Sequence, residues 1–243
     1  MAPKAPSPRP ATRTSFLRTA ALPLTLLTAL LTALVLARWG PLLSLDISLA
    51  TTLHRTAVAA PAWTGVNRLL TDWAWDPWTM RAVLAAVVLW LVRRGARPLA
   101  VWVTGTALLG TALQQALKAV VGRARPVWPD PVDSAQYAAF PSGHAMSALV
   151  AGGLVLWVLR LYGARAHWRW AVRAVVTVSV IGVGFTRIYM GVHWTSDVLG
   201  GWLLGGALVA GATAAYGRRA GGPGARTPGQ GWPGAARRTG WPS

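Results

Sequence analysis

Long apolar blocks constrain the fold of this chain more than any other feature of its sequence. The 243 residues are 53% hydrophobic and only 12% charged, whereas roughly a quarter of the residues in a soluble domain are charged. A helix needs about 20 predominantly apolar residues to cross a bilayer. Six blocks approach or reach that length: Ala20–Ala37, Trp78–Val92, Leu99–Val121, Ala145–Leu161, Trp170–Tyr189 and Val198–Tyr216. We therefore predict an all-α, polytopic membrane protein with six transmembrane helices.

The basic composition fits the same topology. A net charge of +18 is compatible with nucleic-acid binding, but the placement of the charges argues against it. If both termini are cytoplasmic, sixteen of the 24 Lys and Arg residues fall on inner segments, and all six acidic residues fall outside. Cytoplasmic loops of membrane proteins are enriched in Lys and Arg in this way. We expect a multi-pass plasma-membrane protein that does not bind nucleic acid; the sequence leaves its oligomeric state open.

The segments outside the apolar blocks divide the chain into three regions. Residues 1–19 and 217–243 combine Pro, Gly and Arg without apolar periodicity, which predicts disordered cytoplasmic tails on either side of a membrane domain at 20–216. A cleaved signal peptide is the alternative for the N-terminus, although the first apolar block exceeds the usual ~7–15 residues. Between the first two spans, four tryptophans predict a segment lying along the outer interface, as a simple anchor or as a lip beside a site: Trp63, Trp73, Trp75 and Trp78.

Two cations mark the end of the third apolar block. Lys118 and Arg125 are seven residues apart and Pro126 follows. If the helix continues to Pro126, both side chains lie on one face and form a clamp for an anion. Lys118 is one of only two lysines beside 22 arginines, which suggests that this position needs a compact ammonium group. The alternative is that both cations reach back to the membrane surface.

The tetrapeptide Pro141-Ser142-Gly143-His144 precedes the fourth block. Ser142 is a suitable N-cap residue, and Gly143 allows a ligand to approach the backbone closely. The free N–H groups at a helix N-terminus bind phosphate, and His144 would lie beside that anion. The alternative is an ordinary helix start with an incidental histidine.

The third cluster contains Arg187, His193 and Asp197. At a spacing of four residues, Asp197 can hold one ring nitrogen of His193 and leave the other free to attack. Arg187 can bind phosphate oxygens with its guanidinium fork. The alternative is an interfacial His–Asp pair without a catalytic role.

All three clusters fall on the outer side of the predicted topology. We expect no second carboxylate near them, and hence no metal site and no cofactor. The predicted chemistry is metal-free attack on a phosphate ester or diphosphate. His54 and His167 lack neighbouring motif residues and are predicted to be surface or interfacial.

These motifs resemble the type 2 phosphatidic acid phosphatase superfamily, whose signatures are K-x6-R-P, P-S-G-H and S-R-x5-H-x3-D. All three occur here in order and at family spacing, with Thr186 in place of the serine. The resemblance covers about residues 46–216. It implies a six-helix membrane enzyme in which His193 forms a phosphohistidine, Asp197 orients it and His144 acts as acid and then base. It also implies that phosphate oxygens are held by five residues: Lys118, Arg125, Ser142, Gly143 and Arg187.

The resemblance thus implies a membrane lipid phosphatase. Its candidate substrates are undecaprenyl diphosphate, phosphatidic acid and phosphatidylglycerol phosphate, among which the sequence does not choose. Two alternatives remain open: a phosphotransferase of the same fold, and a non-enzymatic protein that binds or transports lipids.

Overall fold

The structure, a computed structural model, describes residues 12–220, and this part of the chain is helical and contains no strand. The predicted tails at 1–19 and 217–243 lie mostly outside that range. The described chain forms eight α-helices and one π-helical turn: α1 (Thr12–Leu36), α2 (Gly40–Ala59), α3 (Pro61–Leu69), the π-turn (Leu70–Ala74), α4 (Pro77–Arg93), α5 (Arg97–Val121), α6 (Gly143–Leu161), α7 (Ala166–Tyr189) and α8 (Thr195–Ala220).

The six predicted apolar blocks fall on α1, α4, α5, α6, α7 and α8, which confirms the all-α membrane class. Among residues 12–220, four helical stretches are long and apolar enough to cross a membrane, and a bent pair formed by α1 and α2 makes a fifth candidate. The stretch Pro61–Arg93 counts as one of the four. Helix α5 is not among these candidates, so the count of six spans stays a prediction.

The bundle is built around α6 and α8, which pack against each other. Helix α1 packs on α8, and α4 and α7 pack on α6, while α5 packs on α4. The largest buried apolar cluster joins α4, α5 and α6 through residues such as Leu91, Val103 and Leu154. The C-terminal ends of α5 and α7 and the N-terminal ends of α6 and α8 meet at one end of the bundle, where the three sequence motifs come together.

The segment between α1 and α4, which the sequence predicts to lie along the outer interface, is mostly helical. Helices α1 and α2 meet at 88°, and Arg38 lies at the bend with a positive φ of 51°. Trp63, Trp73 and Trp78 are exposed, whereas Trp75 packs on α7, where a Cβ added to Gly182 would lie 2.3 Å from its ring.

The two histidines outside the motifs differ in their environments. His167 is exposed, as predicted. His54 is buried and stacks on Trp128 with ring centroids 4.2 Å apart, so the prediction of a surface position for His54 is wrong. It is buried because the loop between α5 and α6 folds over α2.

Glycines in the first half of α8 allow this helix to pack closely inside the molecule. A Cβ added to Gly201 would lie 2.6 Å from the carbonyl oxygen of Ser142, and one on Gly200 would lie 2.5 Å from the Phe140 ring. Gly205 faces the Met146 carbonyl and Gly206 faces Leu24. These glycines therefore pack within this chain.

We expect Gly201→Ala to destabilise the protein by roughly 1–3 kcal/mol, because a methyl group there forces a backbone carbonyl away. Thermal unfolding of the detergent-solubilised protein measures the effect. The matched control is Gly211→Ala in the same helix, where an added Cβ meets no atom within 4 Å and the change should be neutral or stabilising by up to about 1 kcal/mol. Equal melting temperatures for the two variants would contradict the packing argument.

Candidate active site

The loop after α5 places Lys118 and Arg125 differently from the sequence prediction. Helix α5 ends at Val121, and Gly122 follows with a left-handed φ of 56° and an N–H that donates to the Lys118 carbonyl. Glycine favours this helix-ending conformation, so Gly122 ends the helix before Pro126 is reached. The condition for Lys118 and Arg125 to share one helical face, a helix that continues to Pro126, is therefore not met. The two side chains converge nevertheless, since both donate to the carbonyl of Ala138.

Arg125 contacts both the loop and the catalytic histidine predicted from the sequence. Its Nη1 donates to the Val192 carbonyl at 2.6 Å and lies 3.1 Å from Nε2 of His193. Its Nε and Nη2 donate to the carbonyls of Tyr137 at 2.9 Å and Gln136 at 3.1 Å. Because a guanidinium only donates, Nε2 of His193 accepts this contact.

His193 lies in the turn between α7 and α8. Gly191 has a φ of 68°, and its carbonyl accepts a hydrogen bond of 2.9 Å from the Trp128 indole. Nδ1 of His193 lies 3.4 Å from Oδ2 of Asp197, which is the arrangement predicted from their spacing. With Nε2 accepting and Nδ1 facing a carboxylate, the proton belongs on Nδ1 and the lone pair is on Nε2.

Burial lowers the pKa of His193 well below that of an ordinary histidine, and the nearby Arg125, Arg187 and Lys118 lower it further. A neutral imidazole is therefore favoured in the ligand-free protein. Arg125 Nη1 lies 3.1 Å from His193 Nε2, and the N–H of Ser142 donates to the Asp197 carbonyl at 2.9 Å. The structure thus gathers the three predicted clusters into one site.

Arg187 is buried at the end of α7. Its Nη1 lies 3.2 Å from Thr71 Oγ1, on the π-turn, and 3.5 Å from Asp133 Oδ2, in the α5–α6 loop. Thr186, which replaces the family serine, donates from its hydroxyl to the Val183 carbonyl of its own helix at 3.0 Å. This threonine hydroxyl makes its hydrogen bond within α7.

The tetrapeptide begins α6 as predicted, with Ser142 at the N-cap position, but the Ser142 side chain makes no capping hydrogen bond. The backbone N–H of Ser142 donates to the Asp197 carbonyl at 2.9 Å, so this amide is not free for an anion. The group close to Gly143 is the side chain of Gln114, whose Nε2 would lie 2.5 Å from an added Cβ. His144 Nε2 lies 3.9 Å from Oδ2 of Asp76, the N-cap residue of α4.

Two buried donors in the site lack a partner. Among the residues that the structure describes, Ser142 Oγ and Arg187 Nε are buried without a hydrogen bond. An unpaired buried polar group costs about 1–3 kcal/mol, and oxygens of a bound phosphate could pair with both. No group of three or more His, Cys, Asp or Glu side chains in residues 12–220 is arranged to hold a metal ion.

The expectation that Asp197 is the only carboxylate near the motifs is wrong. Asp76 lies beside His144, and Asp133 lies beside Arg187. A third carboxylate, Asp46 of α2, reaches Asp197 through Arg123. All six aspartates fall on the predicted outer side of the chain. This one-sided distribution is the sequence signal that could have indicated carboxylates near the motifs. Their pairing with individual cations depends on loop and helix contacts distant in sequence.

The class of the protein follows from comparison with known families. The pattern that defines the PAP2 superfamily matches residues 99–220, which is about half of the chain and includes all three motifs. The chain belongs to the PAP2 superfamily.

Individual relatives bear out that membership. An undecaprenyl-diphosphatase of Sulfolobus acidocaldarius is 38% identical over 65 residues, which are 27% of this chain and 27% of that protein. Phosphatidylglycerophosphatase B of Bacillus subtilis is 35% identical over 94 residues, which are 38% of this chain and 45% of that protein. The matches thus span less than half the length of these curated relatives.

A solved structure shares the fold. The crystal structure of a transmembrane PAP2-type phosphatidylglycerolphosphate phosphatase from Bacillus subtilis matches with a TM-score of 0.69 and 20% sequence identity. The match covers 82% of this chain and 96% of that one. The arrangement of the helices is therefore that of a membrane PAP2 protein.

We expect Asp133→Asn to bind inorganic phosphate about fivefold more tightly than the wild type. The Asp133 carboxylate competes with an incoming anion for Arg187, and an ion pair partly screened by solvent is worth ~1 kcal/mol. Isothermal titration calorimetry of the solubilised protein measures the affinity. Asp130→Asn, an exposed loop position, is the matched control and should leave the affinity unchanged. Unaltered or weaker binding by Asp133→Asn would exclude this competition.

Proposed function

We propose that this chain is an integral membrane lipid phosphatase that removes a terminal phosphate from a lipid phosphate or diphosphate through a phosphohistidine. The observation that carries the proposal is the pair of contacts made by His193. Its Nδ1 faces Asp197 at 3.4 Å, and its Nε2 lies 3.1 Å from Arg125 Nη1. A nucleophile and a phosphate-binding cation are therefore adjacent, as in-line phosphoryl transfer requires.

In the first proposed step, the Nε2 lone pair of His193 attacks phosphorus and the bond from phosphorus to the leaving oxygen breaks. Asp197 stabilises the positive charge that develops on the ring, as the carboxylate does in hydrolase triads. The leaving oxygen takes a proton from His144 and departs as an alcohol or as a phosphate. Lys118, Arg125 and Arg187 stabilise the charge on the remaining phosphate oxygens.

In the second proposed step, water attacks the phosphohistidine while His144 accepts its proton. The N–P bond breaks, inorganic phosphate leaves and His193 returns to its neutral form. The buried donors Ser142 Oγ and Arg187 Nε, which have no partner in the described chain, supply hydrogen bonds to the phosphate during both steps. The proposed reaction uses no metal.

Charge placement supports a site at the outer face of the plasma membrane. The end of the bundle opposite the site carries nine arginines at helix ends and in short loops: Arg93, Arg94, Arg97, Arg160, Arg165, Arg169, Arg173, Arg218 and Arg219. Basic residues mark the cytoplasmic side. In this orientation both ends of the described chain are cytoplasmic.

The lipid character of the proposed substrate rests on the position of the site. Trp73 and Trp78, each 73% exposed, flank Asp76, which neighbours His144. Exposed tryptophans favour the headgroup level of a bilayer, which is where a lipid phosphate would meet His144. The candidates are undecaprenyl diphosphate, phosphatidylglycerol phosphate and phosphatidic acid; the names of the two curated relatives support the first two.

We expect the purified protein to release phosphate from at least one of these lipids in the presence of EDTA. His193→Ala should lower the rate by roughly a thousandfold or more, because the nucleophile is lost. His167→Ala, which changes an exposed histidine outside the site, is the control and should retain full activity. Loss of activity in EDTA would contradict the metal-free mechanism, and full activity in His193→Ala would exclude the phosphohistidine.

The pH dependence of kcat/KM reports ionisations of the free enzyme. We expect its acid limb, the pH range in which activity falls as the solution becomes more acidic, to lie below the ordinary histidine pKa of about 6.5. The lowered pKa of His193 means that the inactive, protonated ring appears only at more acidic pH. Activity should therefore persist as the pH falls through 6.5, a value typical of histidine. The acid limb could arise from ionisation of the enzyme or of the substrate, so the profile should be measured with two phosphate esters whose second pKa values differ. A limb caused by the enzyme lies at the same pH for both esters, whereas a limb caused by the substrate shifts with the ester. A common limb near pH 6.5 would contradict the expectation.

A further inference from the structure

A second buried network lies on the side of Asp197 away from the Nδ1 of His193. Arg123, in the loop after α5, donates from Nη1 to Oδ1 of Asp197 at 2.7 Å and to Ser196 Oγ at 2.7 Å. Its Nη2 donates to Oδ2 of Asp46 at 2.7 Å. One guanidinium therefore bridges a carboxylate of α2 and a carboxylate of α8.

Asp46 also binds the start of α8 directly. Its Oδ1 accepts the Ser196 N–H at 2.9 Å, and its Oδ2 accepts the Ser196 hydroxyl at 2.5 Å. Asp46 and Asp197 are fully buried, and the Arg123 side chain is 10% exposed. Burying charges is costly unless their geometry and hydrogen bonds are well matched. Here every oxygen of both carboxylates has a partner.

These contacts determine how Asp197 faces the imidazole. Oδ2 accepts the Trp194 N–H at 2.8 Å and lies 3.4 Å from His193 Nδ1, while Oδ1 is held by Arg123. With both oxygens engaged by different partners, rotation of the carboxylate would break an ion pair or a backbone hydrogen bond. The direction in which Nε2 of His193 points therefore depends on Arg123 through Asp197.

We propose that Arg123 and Asp46 are positioning residues that hold Asp197 so that His193 stays aimed at phosphorus. This inference rests on the proposed function. It extends the site to α2, outside the residues that match the PAP2 pattern. In metal sites, removing a residue that orients a ligating histidine typically lowers metal affinity or activity by about 10–100-fold, and we expect an effect of this size for the metal-free site proposed here.

The positioning role differs from the role of the phosphate clamp. Arg125, Lys118 and Arg187 act on the phosphate, so their loss should weaken phosphate binding. Arg123 is committed to Asp46, Asp197 and Ser196. Its loss should slow phosphoryl transfer to His193 while phosphate binding stays intact.

The structure also supplies a route for chemical rescue. A cavity of about 500 Å³ lies beside the network and is lined by Asp46, Arg123 and Trp194, with apolar side chains from the bend between α1 and α2. A guanidinium ion can enter this space and occupy the position left by the side chain in Arg123→Ala. If Arg123 contributed only to folding, guanidinium added to the folded Arg123→Ala variant would not raise its kcat.

The test compares the wild type, Arg123→Ala and Asp46→Asn in detergent micelles, with undecaprenyl diphosphate, phosphatidylglycerol phosphate and phosphatidic acid as substrates. We expect Arg123→Ala to lower kcat by about 10–100-fold and to leave KM and the affinity for inorganic phosphate within about twofold. Asp46→Asn should lower kcat by less, since the ion pair from Arg123 to Asp197 remains. Guanidinium, at concentrations that do not alter the wild-type rate, should restore part of the kcat of Arg123→Ala.

The control is Arg55→Ala, an exposed arginine of α2, which should match the wild type with and without guanidinium. Wild-type kcat in Arg123→Ala would overturn the positioning role, as would a lower kcat without rescue or a rise in KM alone. If the wild type binds phosphate but releases none from any of the three lipids, the proposed function fails and this role fails with it. Release by the wild type and an unaffected Arg123→Ala would overturn the positioning role alone.

Discussion

The buried carboxylate of Asp197 is the interaction on which the site depends. Its side chain faces His193 and binds Arg123, and its backbone carbonyl accepts the N–H of Ser142. One residue in the first turn of α8 thus connects the α7–α8 turn, the loop after α5 and the start of α6. Because a buried charge is stable only when its partners are in place, the orientation of His193 depends on the contacts that hold this carboxylate.

The loop between α5 and α6 has a complementary role. The three cations proposed to bind phosphate already contact this loop: Lys118 and Arg125 donate to the Ala138 carbonyl, and Arg187 lies beside Asp133. Backbone carbonyls and one carboxylate thus occupy hydrogen-bonding positions of these cations in the ligand-free protein. In the proposed reaction, oxygens of the bound phosphate replace these protein oxygens as hydrogen-bond acceptors of the cations. The free energy of phosphate binding is therefore the difference between the two sets of contacts. Charge-assisted hydrogen bonds to phosphate favour that exchange.

The sequence predicted candidate site residues because their spacing along the chain determines which of them lie close together on a helix or in a turn. Four residues separate His193 from Asp197, and the structure places Nδ1 and Oδ2 3.4 Å apart. The sequence left open whether α5 continues from Lys118 to Arg125; Gly122 adopts a left-handed conformation that ends the helix between them. The contacts of Asp76, Asp133 and Asp46 were missed for a different reason. Each joins segments distant in sequence, and no local pattern specifies such a pair.

The sequence by itself determined the membrane class, the helices on which the apolar blocks lie and the identity of the motif residues. These properties follow from hydrophobic length and local spacing, which are encoded along the chain. Only the tertiary structure decided which cation pairs with which carboxylate, that Ser142 donates to Asp197, and that α2 contributes Asp46 to the site. The physical reason is that the energy of an ion pair depends on distance and burial in three dimensions, and both are set by how the helices pack.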